Sequence, residues 1–293
     1  MKILLFGRNG QVGWELQRAL APLGELHALG SEGADFSIPE SLAETVRALR
    51  PDVVVNAAAY TAVDRAEAEP AVARRINAEA PAVLARETAA AGAWLVHYST
   101  DYVFDGSGNE PRGEDAPTGP LNVYGRTKLE GERAIQASGV RHLVLRTSWV
   151  YGMRGGNFAR TMLRLAQERD RLAVIDDQIG APTGAELIAD VTAHAIRAAV
   201  AGGAPSGIFH LTAAGETSWH GYACRVIEAA RASGRPVKVA REAIAAVPSS
   251  EFVTAAERPK NSRLDTGKLR RAFGLTLPPW QAGVDRLLAE IWT

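Results

Sequence analysis

Tyr124 and Lys128 are the residues whose types and spacing most directly suggest chemistry. Four residues apart within Leu121-Asn122-Val123-Tyr124-Gly125-Arg126-Thr127-Lys128, they share one face of a helix, a turn from each other. A neighbouring ammonium favours a phenolate, so such a tyrosine exchanges its proton more readily than its usual pKa of about 10 allows. That suits a general acid beside a carbonyl undergoing reduction. A solvated helix face with a surface lysine has the same pattern, so the pair must be weighed with its surroundings. A second chemical signal is Gly7-Arg8-Asn9-Gly10-Gln11-Val12-Gly13, with glycines at every third position. It follows a short apolar run and precedes a helical pattern at Trp14, Leu16 and Leu20. In a dinucleotide loop the first glycine permits the tight turn. The second lets backbone approach a pyrophosphate, and the third lets helix and strand pack closely. The helix N-terminus then offers N–H groups to that phosphate.

The elements that must hold these groups read as alternating strands and helices. Strands are expected over 2–6, 25–29, 52–56, 94–99 and 142–146. Helices are expected after the glycine loop, over 39–49 and in an Ala-rich region over 70–91, kinked or broken at Pro81. This alternation implies an α/β fold with a doubly wound, Rossmann-like parallel sheet, in which ligands sit beyond the carboxyl ends of strands. Those ends carry the glycine loop, Ala59-Tyr60-Thr61, Ser99-Thr100-Asp101 and Thr147-Ser148-Trp149. From Trp149 the alternation fades. Residues 1–148 are therefore expected to form the dinucleotide-binding part and 149–293 mainly a smaller C-terminal substrate-binding region. Within the latter, 184–212 rejoins the large sheet.

Composition narrows the functional classes. Lys plus Arg and Asp plus Glu number 33 each, so no net field points to nucleic acid or an anionic membrane. The one cysteine, Cys224, excludes an internal disulfide and a cysteine zinc site. No leader-like segment and no apolar run of the ~20 residues that span a bilayer stand out, so the cytoplasm is the expected location. The six histidines show no metal-ligand spacing.

Taken together, Gly7 through Gly13, Asn56-Ala57-Ala58, Tyr98-Ser99-Thr100-Asp101-Tyr102-Val103-Phe104 and Tyr124 with Lys128 resemble the extended short-chain dehydrogenase/reductases. Further motifs narrow the resemblance to the dTDP-4-dehydrorhamnose reductase family. These are Arg146-Thr147-Ser148-Trp149-Val150-Tyr151, Gln178-Ile179-Gly180-Ala181-Pro182-Thr183 and Arg258-Pro259-Lys260-Asn261-Ser262. The resemblance implies reduction of the C4 keto group of dTDP-4-dehydro-L-rhamnose by NADPH or NADH, a step toward cell-surface polysaccharide such as lipopolysaccharide. It implies Tyr124 as proton donor, Lys128 on the cofactor ribose and Thr100 on the substrate oxygen. Asp101, Trp149, Arg258 and Asn261 are implied as substrate contacts. The cofactor positions would be Gly7, Gly10, Gln11, Val12, Gly13, Asp35, Phe36, Ala59, Tyr60, Thr61 and Tyr98, with Tyr124 and Lys128. Some bacterial members of the family dimerise around Mg²⁺ held by three acids from each subunit. The matching positions here are Glu15, Glu186 and Asp190, which implies a homodimer.

The second strand ends Ala28-Leu29-Gly30-Ser31 with no acid to repel a 2′-phosphate, and Arg8 is nearby to meet one. NADPH should therefore serve at least as well as NADH. Two rival readings share the scaffold: a nucleotide-sugar epimerase or dehydratase that returns its hydride, and a non-catalytic NADP-binding regulator. Dehydratases of this group place Asp-Glu after the threonine, where this chain has Asp101-Tyr102. Regulators tend to lose the tyrosine or lysine, and both stand here.

Overall fold

The computed structural model describes residues 1–203 and 205–293. Its first half runs β1 (Lys2–Phe6), α1 (Gln11–Leu20), β2 (Glu25–Leu29), α2 (Pro39–Leu49), β3 (Val53–Asn56), α3 (Val63–Ala68), α4 (Pro70–Arg74), α5 (Ala80–Ala90), β4 (Trp94–Thr100), α6 (Val123–Ala137) and β5 (Arg141–Thr147). The second half continues β6 (Val150–Tyr151), α7 (Phe158–Glu168), β7 (Leu172–Ile175), β8 (Ile179–Gly180), β9 (Thr183–Gly184), α8 (Ala185–Val200), β10 (Gly207–His210), β11 (Thr217–Ser218), α9 (Trp219–Ala232), β12 (Ile244–Val247), α10 (Gly267–Phe273) and α11 (Trp280–Trp292).

Six strands form one parallel sheet in the order β10-β5-β4-β3-β1-β2. The fold is α/β, a doubly wound Rossmann-like sheet. The chain passes from β1 outward to β2 and then returns to β3 on the other side of β1. That reversal opens a crevice at the strand ends. Strands β1, β3 and β4 are buried on both faces, which fits their apolar runs Ile3–Phe6, Val53–Val55 and Trp94–Val96 without alternation. One face packs Ile3, Leu5, Val55 and Val96 with Leu16 of α1 and Ile188 of α8. The other packs Leu4, Val54 and Leu95 with Val46 of α2 and Leu84 of α5. A separate core gathers α7, α9 and α11 around Tyr222, Val226, Leu163 and Leu288. Two-strand pairings β6–β9, β7–β12 and β8–β11 lie in this second half. They are too short to announce themselves by alternation.

The Ala-rich region breaks before Pro81 rather than at it. A π-helical turn spans Arg75–Glu79 between α4 and α5. Pro81 has no N–H to donate back into the preceding turn, and the wider turn accommodates this. The turn presents Asn77 toward α6. A Cβ on Gly131 would lie 2.2 Å from the Asn77 carbonyl oxygen, so only glycine permits this approach. Buried Arg146 of β5 fixes α6 from the other side, donating to both carboxylate oxygens of Glu132 at 2.9 and 2.6 Å.

Candidate active site

Helix α6 begins where Asn122 caps it, accepting from the Gly125 N–H at 2.8 Å. Asn122 also donates to the Glu257 carbonyl at 2.7 Å, and the Val123 N–H donates to Glu67 at 2.7 Å. Three separate segments thus set the helix start, and Tyr124 stands in its first turn. The Tyr124 ring meets Tyr102 edge-on, with centroids 5.7 Å apart. Burial pushes the Tyr124 hydroxyl up to about 12; a hydrogen bond with Thr100 opposes this, and the nearby Asp101 adds to it.

Lys128 is almost wholly buried. Its ammonium position is not against Tyr124. Nζ donates to the Tyr98 carbonyl at 2.5 Å and lies 3.2 Å from His97 Nε2. Burial pulls Lys128 down to about 8, partly offset by Glu132. Tyr124 thus sits above its ordinary value, chiefly through burial, while Lys128 is engaged by β4.

Thr100 ends β4 and caps the following 3₁₀ turn, Asp101–Val103, accepting from the Tyr102 N–H at 3.2 Å. Its hydroxyl also donates to Asp101 at 3.1 Å. Asp101 is buried, and the loss of hydration pushes its carboxyl up to about 7 although Ser262 and Thr100 nearby oppose this. Just past β5, Trp149 adopts φ +49, a strained value for a bulky residue. It stacks on Trp219, centroids 3.7 Å apart and planes at 11°, and Trp219 donates to Gln178 at 3.2 Å. Trp219 escaped the sequence reading because its partner is 70 positions away and only the fold joins them.

At the carboxyl edge of the sheet, Gly7 takes φ +86, and a Cβ there would lie 2.6 Å from the Ala58 backbone nitrogen. The ends of β1 and β3 therefore touch beside the crevice. No side chain caps α1 at Gly10, which leaves its first N–H groups for a ligand. Gln11 and Val12 open this helix, and Gly13 is buried in it. The loop after β3, Ala59-Tyr60-Thr61, is clasped by Asn77: its Oδ1 accepts from the Tyr60 N–H at 2.9 Å, and its Nδ2 donates to the Tyr60 carbonyl at 3.1 Å and to Thr127 at 3.2 Å. Asn77 was not anticipated; an asparagine inside a helical pattern was the available signal.

Several expected positions are occupied differently. Tyr98 faces the α8 side, its hydroxyl bonded to Thr192 at 2.8 Å, so its carbonyl and not its ring reaches Lys128. Phe36 is in the core, edge-on to Phe6, while Asp35 is exposed and accepts from the Ser37 N–H. Asn261 spends its amide on the Ser107 and Glu110 carbonyls, and Arg258 pairs with Asp64 at 2.6 Å. Lys260 and Arg263 are likewise paired, with Asp177 and Glu216. The reading of β2 as lacking an acid also needs correction. A turn after Gly30 brings Glu32 back to the strand end, where it accepts from Arg8 at 2.5 Å and Asn9 at 3.3 Å.

The expected metal ligands are held by arginines. Asp190 accepts from Arg18 at 2.8 Å, Glu15 from the same Arg18 at 3.4 Å, and Glu186 faces Arg286 at 3.2 Å. Among the described residues no cluster of three His, Cys, Asp or Glu side chains could hold a metal ion. Within one chain, then, each of these three acids faces an arginine. Among the described residues no helix is long and apolar enough to cross a membrane.

Residues 1–292 match the family model described as the RmlD substrate binding domain. The chain is 56% identical over 297 residues to dTDP-4-dehydrorhamnose reductase of Shigella flexneri, covering 100% of this chain and 99% of that one. It is similar in structure to dTDP-4-dehydrorhamnose reductase of Clostridium acetobutylicum, with TM-score 0.90, 34% identity and both chains covered entirely. A similar enzyme of Bacillus anthracis, solved in complex with NADP, gives TM-score 0.89 and 33% identity over 99% of this chain and 100% of that one. The chain belongs to the dTDP-4-dehydrorhamnose reductase family.

Proposed function

We propose that this protein reduces the C4 keto group of dTDP-4-dehydro-L-rhamnose with NADPH or NADH, giving dTDP-L-rhamnose for cell-surface polysaccharide. The observation that carries the reading is the placement of Tyr124, in the first turn of α6, near Thr100 at the end of β4, in a chain of this family. Buried polar atoms without partners lie at the ends of β4 and β5 and in the first turn of α1: Ser99, Thr147 and Ser148 hydroxyls, one Asp101 oxygen and the Gln11 amide oxygen. Orphaned buried polar groups cost free energy unless a polar ligand meets them, so the crevice fits a dinucleotide and a sugar.

A bound NADPH or NADH would supply the hydride for C4. Tyr124, with its raised pKa, remains protonated through neutral pH and donates to the C4 oxygen as charge develops there. Thr100 stabilises the same oxygen, Lys128 meets the cofactor ribose, and Asp101 meets sugar hydroxyls. The half-exposed Trp149–Trp219 stack offers an aromatic plane to the sugar or base. Residues 1–148 would hold the cofactor and 149–293 mainly the substrate.

A homodimer bridged by Mg²⁺ belongs to the same proposal. It is supported by the closeness of the acids: burial raises the Glu186 carboxyl, and Glu290 and Glu15 raise it further. A second copy would have to displace Arg18 and Arg286 to bring a cation in. The reaction itself is tested by following NADPH absorbance with the keto sugar; no substrate-dependent oxidation would refute it.

A further inference from the structure

A buried chain of hydrogen bonds runs behind Lys128, and its donors and acceptors can be assigned. Asn56 and His97 are neighbours across β3 and β4. Asn56 Oδ1 accepts from the Ala58 N–H at 3.1 Å, so its other atom, the donating Nδ2, faces His97 Nδ1 at 3.1 Å. Turning the amide over would set two donors against each other at Ala58. His97 Nδ1 must then be an acceptor. A neutral imidazole with Nδ1 accepting carries its proton on Nε2. That N–H points at Lys128 Nζ, 3.2 Å away. An ammonium cannot accept a hydrogen bond; a neutral amine can, while still donating to the Tyr98 carbonyl.

We infer that His97 is a positioning residue that holds Lys128 as an uncharged amine in the cofactor-free protein at mildly alkaline pH, so that binding of NADPH or NADH takes up one proton per chain. This rests on the reading of Lys128 as a cofactor contact. The two buried groups agree with it: burial, and then Lys128, hold His97 well below its usual value, and burial brings Lys128 down to about 8. Of the charged groups on elements packed against α6, Glu132 also acts on Lys128 and favours its ammonium; the others are paired elsewhere or exposed. Glu132 is held by Arg146, Arg74 by Glu79 and Glu130, Glu87 by Arg47, Arg65 by Glu69 and Asp64 by Arg258; Glu67 accepts from the Val123 N–H, Asp101 from Thr100, and Arg75 is exposed. The anionic cofactor favours the ammonium, and the proton arrives where Tyr124 needs a cation nearby.

Two measurements test this. In the free protein at about pH 8.5, ¹⁵N NMR of the histidine rings, assigned with His97→Gln, should show His97 with the proton on Nε2; the Nδ1–H tautomer or a doubly protonated ring would overturn the inference. Calorimetry of NADPH binding in buffers of different ionisation enthalpy should give uptake approaching one proton at about pH 8.5, declining as the pH falls through about 8. In His97→Gln, whose amide can turn its oxygen to an ammonium, uptake at about pH 8.5 should fall below about a third of a proton. Equal uptake in both proteins, or none in wild type, would contradict the proposal. Lys128→Met separates the two readings: it should weaken NADPH binding about tenfold or more, and unchanged affinity would remove Lys128 from the cofactor site whatever the His97 tautomer.

Discussion

Burial raises the pKa of both Tyr124 and Asp101, with different consequences. Tyr124→Phe removes only the donor, so NADPH binding should persist while kcat falls by roughly 10²–10⁴-fold, the usual contribution of a general acid. Steady-state kinetics with a cofactor titration checks this, and near wild-type kcat would mean another group protonates the sugar. Asp101 bears on stability. Its carboxyl titrates at about 7 in the folded chain but near the ordinary carboxylate value when unfolded. Between those values the folded state binds more protons, so stability falls as pH rises from ~4 to ~7 and is level above. Asp101→Asn should flatten that fall, raising Tm relative to wild type at about pH 8 more than at about pH 4. Thermal melts at the two pH values decide it; parallel shifts would show that Asp101 keeps an ordinary pKa.

At the scale of elements, the end of β2 determines how the cofactor ribose is received. Glu32 and Arg8 stand there as an exposed pair, an acid suited to a 2′-hydroxyl and a cation suited to a 2′-phosphate. Glu32→Gln should move the kcat/KM ratio toward NADPH by about tenfold, worth about 1.4 kcal/mol, measured with both cofactors in both proteins. An unchanged ratio would place the ribose away from Glu32. The β2 reading also marks where sequence stops being legible. Strands buried on both faces, the glycine loop and the Tyr124–Lys128 spacing are local patterns, and they were readable. Glu32 was not, because its position depends on a turn that folds it back over Gly30. The alternation of β4 sends Tyr98 to one face and His97 to the other, and only the packing of α8 and α6 shows which side is which. Asn77, Trp219 and the short strands of the second half are joined to their partners by tertiary contacts, which no local period encodes.

For the whole molecule, the acids Glu15, Glu186 and Asp190 and their arginines lie on and around the packed pair α1 and α8. Several carboxylates brought together at a symmetric interface repel unless a hard cation joins them. Sedimentation at micromolar protein should show a dimer with Mg²⁺ that EDTA weakens, and Glu186→Ala with Asp190→Ala should be mainly monomeric yet active. A monomer in both conditions would end the metal proposal and leave the chemistry intact. The chemistry has its own decisive measurement. With NADPH carrying deuterium at the transferred C4 position and dTDP-4-dehydro-L-rhamnose as substrate, mass spectrometry and NMR of the product should find dTDP-L-rhamnose with one deuterium at C4 and one oxidised cofactor released per product. Product that carries no deuterium, or turnover without net cofactor oxidation, would contradict simple reduction and favour an enzyme that returns its hydride.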